Sequence, residues 1–126
     1  MTRPEARMVA QLQSDSIAGG RIYPIVRPQG TALPCVVYEV TSDAPVNHAN
    51  GTTGAAEMKI TVDCMAATYA DAKVLATAVA GSLSGWTDDD GCMWHMDDQS
   101  DEAGEIEGGG DTLIYYGVSQ SYSVWY

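Results

Sequence analysis

At 126 residues with 45% hydrophobic side chains, the chain has the size of one domain and enough apolar material for a real core. Its formal charge is -11, from 17 acidic and 6 basic side chains, which argues against gripping a phosphate backbone or an anionic membrane surface. No apolar run is long enough to span a bilayer, and Met1-Thr2-Arg3-Pro4-Glu5 opens no signal-peptide core, so the chain is expected to stay in the cytoplasm where it is made.

The first helix is predicted from Thr2 to about Asp15. Thr2 and Glu5 form a capping box, Pro4 lies in the tolerant first turn, and Met8, Val9 and Leu12 share a face. Gly19-Gly20 breaks the chain. Residues 21–26 read as a short extended segment that Pro24 confines to a sheet edge, and Pro28-Gln29-Gly30 as a turn. Residues 35–41 alternate, with Val36, Tyr38 and Val40 on one side. Residues 43–54 are rich in turn formers and read as a projecting loop. Residues 56–66 carry the clearest strand signal: Met58, Ile60, Val62, Cys64 and Ala66 alternate with Glu57, Lys59, Thr61 and Asp63.

Thr68 caps a second helix, with Asp71 three positions on. Tyr69, Ala72, Leu75, Ala76, Val79 and Leu83 form its apolar stripe, and Gly85 closes it. Residues 92–96 predict a short strand, residues 97–111 an acidic, Gly-rich stretch, and residues 112–126 a long last strand rich in Tyr and Ser. The order of elements predicts an α+β domain spanning residues 1–126: an antiparallel sheet, two helices packed on one face, and long loops projecting.

Chemistry-bearing patterns are sparse. Cys35, Cys64 and Cys92 are odd in number and far apart, which fits free thiols in a reducing compartment. Cys92 and His95 would point to opposite faces of a strand, and His48 lies in a distant loop, so no metal site is predicted. An EF-hand is excluded because Trp86 stands where Gly91 would need an acid five residues earlier. There is no Gly-x-Ser-x-Gly elbow, and Gly108-Gly109-Gly110 lacks the lysine of a phosphate loop. No catalytic residue or cofactor is predicted.

Two features invite a binding role. Ten of the 17 acids fall within residues 88–111, with no Lys or Arg among them. The plainer reading is a solvated loop held open by self-repulsion; the functional one is a negative surface beside passing DNA or a basic partner, formed by Asp97, Asp98, Asp101, Glu102, Glu105 and Glu107. The last strand carries aromatics on both faces. That fits amphipathic packing, and it also fits a subunit interface at Tyr115, Tyr122, Trp125 and Tyr126.

Taken in order, several segments carry a resemblance: Gly20-Arg21-Ile22-Tyr23-Pro24, Pro28-Gln29-Gly30, Pro34-Cys35-Val36-Val37-Tyr38, an Asn-rich loop with Gly51, Tyr69-Ala70-Asp71-Ala72 and the aromatic final strand. Together they resemble the tail-completion family of long-tailed bacteriophages, also described as head-to-tail joining or tail-terminator proteins. Two departures stand out. Cys35 takes a place where an aromatic is usual, and the Asp97–Asp111 stretch is longer and more acidic.

The resemblance implies a virion structural protein, made in the bacterial cytoplasm and placed at the tail–neck junction. It implies a ring, usually of six copies, at the head-proximal end of the tail tube. Such a ring stops tube growth, joins a neck or connector protein, and lets DNA pass without specific binding. In that setting Val46, Asn47, His48 and Asn50 of the projecting loop would reach the tail-tube protein or a neighbouring copy. A closed ring needs two different patches meeting head to tail, and the last strand and residues 21–26 are the predicted sheet edges for that contact. Two other roles fit the composition: a neck or head-closure subunit of the same particle, and an acidic DNA-mimicking inhibitor that needs no self-assembly.

Overall fold

The computed structural model describes residues 3–26, 32–48, 51–108 and 111–125. Its elements run α1 (Pro4–Ser14), a short 3-10 turn (Ile17–Gly20), β1 (Ile22–Pro24), β2 (Cys35–His48), β3 (Gly51–Ala66), α2 (Tyr69–Leu83), β4 (Trp94–Gly108) and β5 (Asp111–Trp125). The strands form one sheet in the order β1-β2-β3-β5-β4. All neighbours are antiparallel except β1 and β2, which pair in parallel from Ile22↔Val36 to Pro24↔Tyr38. The predicted α+β architecture holds, with that single parallel pair added at the edge.

Both helices cover one sheet face. Alternation puts Met58, Ile60, Val62 and Cys64 of β3 on that face, beside Val36 of β2 and Val118, Tyr122 and Val124 of β5. Met8 and Leu12 of α1 and Ala72, Leu75, Ala76, Val79 and Leu83 of α2 close over them. Each fully buried aliphatic contributes roughly 1.5–3 kcal/mol of transfer free energy. Small residues let α2 lie close to the sheet: the Gln120 side chain of β5 donates from Nε2 to the Ala76 carbonyl at 2.9 Å. Its Oε1 accepts from the Tyr122 hydroxyl at 2.7 Å, so this buried amide has partners at both ends.

The α2 start matches expectation. Thr68 Oγ1 accepts the Asp71 amide at 3.1 Å. Tyr69 leaves the predicted stripe, turning outward to donate its hydroxyl to Asp101. At α1 the N-cap is Arg3, without a side-chain cap, and Glu5 pairs with Arg3; Thr2, the other half of the predicted capping box, lies outside the described residues. Pro4 at the first helical position still starts the helix.

The larger correction concerns the two predicted loops. Residues 43–48 and 51–54 continue β2 and β3 as a hairpin, with Asn47↔Thr52 and His48↔Gly51 as its last rows. Residues 97–108 are strand β4, paired along their length with β5 from Asp98↔Ser121 to Gly108↔Asp111. Turn formers and acids have low strand propensity, but pairing with a β-rich partner strand overrides it. An edge strand tolerates acids because its outer side chains are solvated. Pairing between β3 and β5 runs only from Glu57↔Trp125 to Ala66↔Tyr116. Beyond the first row the β2–β3 hairpin continues alone; beyond the last, the β4–β5 hairpin continues alone. Two arms therefore leave the sheet at opposite ends. The β4–β5 arm, from Gly104↔Tyr115 to Gly108↔Asp111, reaches roughly 17 Å.

Candidate assembly interface

The surfaces that matter are the arms, the strand edges and the sheet face without helices. Asn47 and His48 fall on the final rows of the β2–β3 arm and Val46 at the register shift just before them; Asn50 lies outside the described residues. This segment is strand rather than loop, so its reach is set by paired backbone.

The aromatic set divides. Tyr122 is 0% exposed under the helices and cannot meet a partner, because alternation turns it into the core. Trp125 is 50% exposed at the strand end, and Tyr126 lies outside the described residues. Tyr115 packs its ring over Gly104 in the facing strand, where an added Cβ would come within 2.6 Å of the ring. This explains a glycine in mid-strand: the aromatic covers the backbone that Gly104 leaves bare. The β5 strand itself is interior between β3 and β4, so it is not the free edge predicted from its length. The β1 edge was predicted from Pro24 and is found there. The other outer strand is β4.

The acids divide as well. Asp101 faces α2, where Lys73 and the Tyr69 hydroxyl donate to it and hold its carboxyl below the usual range. Asp97 sits at a register shift and accepts from Ser123 at 3.1 Å. Asp98 and Glu102 lie on the opposite, helix-free face, in the rows of Ser121 and Gly117. Glu105 and Glu107 belong to the arm, where only the backbone is described. The predicted single acidic surface is thus two surfaces, one of them partly neutralised by Lys73.

The helix-free face follows from packing both helices on one side, but it is not among the candidate sites that the sequence marks. The rows Val37↔Asp63↔Ser119 and Thr61↔Ser121 line it with hydroxyls and carboxylates. Burial raises the Asp63 pKa, a hydrogen bond with Ser119 offsets this in part, and the Glu39 charge adds to the rise. Burial also raises the Glu102 pKa, and the Asp63 charge adds to it. Glu102 lies across Gly117, whose missing side chain leaves room for it: a Cβ there would come within 2.9 Å of Glu102 Cγ. Strict alternation of Glu57, Lys59, Thr61 and Asp63 was the signal for a polar face.

Asp88 was read with the acidic stretch, yet it is buried and structural. Its Oδ2 accepts from Arg7 Nε at 2.8 Å and Trp94 Nε1 at 3.1 Å, and its Oδ1 from the Asp90 and Cys92 amides, each at 3.0 Å. This ties α1 to the loop that leads into β4.

The described residues hold no group of three His, Cys, Asp or Glu placed to bind a metal ion. None of the three cysteines is in a disulfide, and burial pushes Cys64 up to about 12, far from a reactive thiolate. An apolar groove of about 410 Å³ lies between the end of α1 and α2, lined by Ala18, Leu33, Pro34, Ala66, Val74 and Ala78. It offers few polar groups to orient a reacting substrate.

The fold and these surfaces define a small α+β domain with outer strand edges and two projecting arms. The family described as Tail completion protein gp17 matches residues 6–103, and the chain belongs to that family. Its role is therefore structural, in a phage tail and so in the virion. Among curated proteins no relative matches the sequence. A chain of the virion of a native gene transfer agent particle has a similar fold, with a TM-score of 0.55 at 18% identity, covering 96% of this chain and 94% of that one.

Proposed function

We propose that this chain assembles into a closed ring, of six copies in the reading that the family favours, at the head-proximal end of the tail tube. There it ends tube growth, joins the neck and leaves a channel through which DNA passes without specific binding. The observation that carries this reading is the pair of arms leaving opposite ends of one sheet. A subunit with different projections at its two ends suits a place between two different partners, tube on one side and neck on the other. Two outer strands of different character, a three-residue β1 and a fifteen-residue β4, support the heterologous contact that a ring requires. The tail-tube protein and the neck protein are the partners.

The test is polymerisation of tail-tube protein with and without this chain. Tubes that stop at a capped end with the chain present support the proposal. Tubes of unchanged length with no bound chain contradict it. A cap found on connector particles and never on tubes would favour the neck role.

A further inference from the structure

Resting on that ring reading, we propose that the Ile25-Val26 turn of one copy docks against the outer edge of β4, at Met96, in a second copy of this chain.

The turn is unusual in its backbone. Ile25 has φ 65°, a left-handed value that a β-branched residue adopts only under strain. The Val26 amide donates to the Pro24 carbonyl at 2.6 Å across it, closing a tight γ-turn of the rare positive-φ form. The Ile25 amide is tied to the Tyr38 carbonyl at 2.7 Å, so the strain is held by the sheet. Its result is two consecutive aliphatic side chains in water, Ile25 69% and Val26 70% exposed. Strain of this kind persists where it serves a contact. A groove of about 340 Å³ beside the turn is lined by Glu5, Pro24, Ile25, Tyr38, Glu39 and Val40, room for an incoming side chain.

The opposite edge of the sheet offers a counterpart at the same level. Register runs Val40↔Ile60↔Tyr122↔Met96 across four strands, so Met96 stands level with the strand position next to the turn. Met96 is 37% exposed there. Methionines suit such a seat because an unbranched thioether adapts its shape. Contact between copies displaced sideways by one sheet width then joins the two apolar groups without a shift along the strands.

Charge selects this pairing over the alternative. Placing β4 against β4 of another copy would set Asp97, Asp98, Asp101 and Glu102 against themselves, and like charges opposed across strands repel. Residues 21–26 contain Arg21 and no acid, and the acids beside the turn, Glu5 and Glu39, are fewer than the four that β4 would set against itself, so the β1 edge meets β4 with the smaller penalty. The occupant is therefore a second copy in head-to-tail arrangement.

Paired variants, each with one added cysteine and with the buried Cys35 and Cys64 kept, test this. In a Cys92→Ser background, Ile25→Cys and Met96→Cys are made separately, one of them isotope-labelled, then mixed under mild oxidation. The expected product is a disulfide-linked pair of one labelled and one unlabelled chain, while each variant alone stays unlinked. A charge variant, Ile25→Asp, should weaken self-association at least tenfold with the circular dichroism spectrum unchanged. Assembly by native mass spectrometry with no mixed cross-link, or with equal cross-linking inside each single-variant sample, overturns the seam and leaves the ring reading standing. A single unassembled chain at all salt and protein concentrations removes the ring reading and the seam with it.

Discussion

Asp88 shows how one carboxylate fixes an element. Burial by itself raises its pKa. Hydrogen bonds from Arg7, the Cys92 amide and the Trp94 indole, together with the Arg7 charge, more than offset this and hold it below the ordinary 3.8. A carboxylate with a lowered folded pKa contributes stability that is present above its unfolded value and lost as pH falls through the folded one. Stability from this site should therefore fade only below about pH 4. Asp88→Asn removes the buried one of the two carboxylates that Arg7 pairs with, leaving Asp90 at 2.8 Å, and should cost about 2 kcal/mol in urea unfolding at pH 7. A loss under 0.5 kcal/mol would show that the network does not anchor α1.

Asp63 and Glu102 work in the other direction. Their folded pKa values are raised, so ionisation at neutral pH opposes folding, and stability grows as pH falls through those raised values. Asp63→Asn should stabilise the single chain at pH 7 by on the order of 0.5 kcal/mol, a gain that vanishes at pH 4. A destabilised variant would contradict the burial argument.

Among the elements, α2 depends on its cap. Thr68→Ala removes the acceptor for the Asp71 amide and should cost about 1 kcal/mol, measured by thermal unfolding. Each arm is held by the pairing of its own two strands. Replacing residues 105–112 by an Asn-Gly turn should leave the unfolding midpoint of the sheet unchanged, because the Ala66↔Tyr116 row and all helix contacts remain. The same variant should fail to assemble; retained assembly would show that the arm is dispensable.

Much of this was readable from residue order. The period-2 run from Met58 to Ala66 and the Thr68 cap specify β3 and α2 locally, and Pro24 marks the edge. The arms were not readable. Residues 97–108 lack β-branched residues except Ile106, and only pairing with β5 makes them a strand. Tyr122 looked like an interface aromatic because a long amphipathic strand does not announce which face the helices will cover. Asp88 looked like one of a solvated run, since its partner Arg7 is 81 positions away in sequence.

For the whole molecule, charge opposes the proposed assembly. Each copy brings a net -11, and the acids concentrate on β4 and the turn before it. Copies brought together repel over a Debye length of roughly 8 Å at physiological ionic strength. Added monovalent salt should therefore promote self-association, with the sedimentation coefficient rising between low and moderate salt. Assemblies that dissociate as salt rises would show that ion pairs, not apolar seams, hold the copies together.

The central claim is that this tail completion protein acts by meeting copies of itself. Native mass spectrometry of the purified chain at moderate salt tests it most directly. A closed species of defined copy number, six in the proposed ring, is the predicted result. A spectrum containing only the single 13.4 kDa chain at every concentration would contradict it.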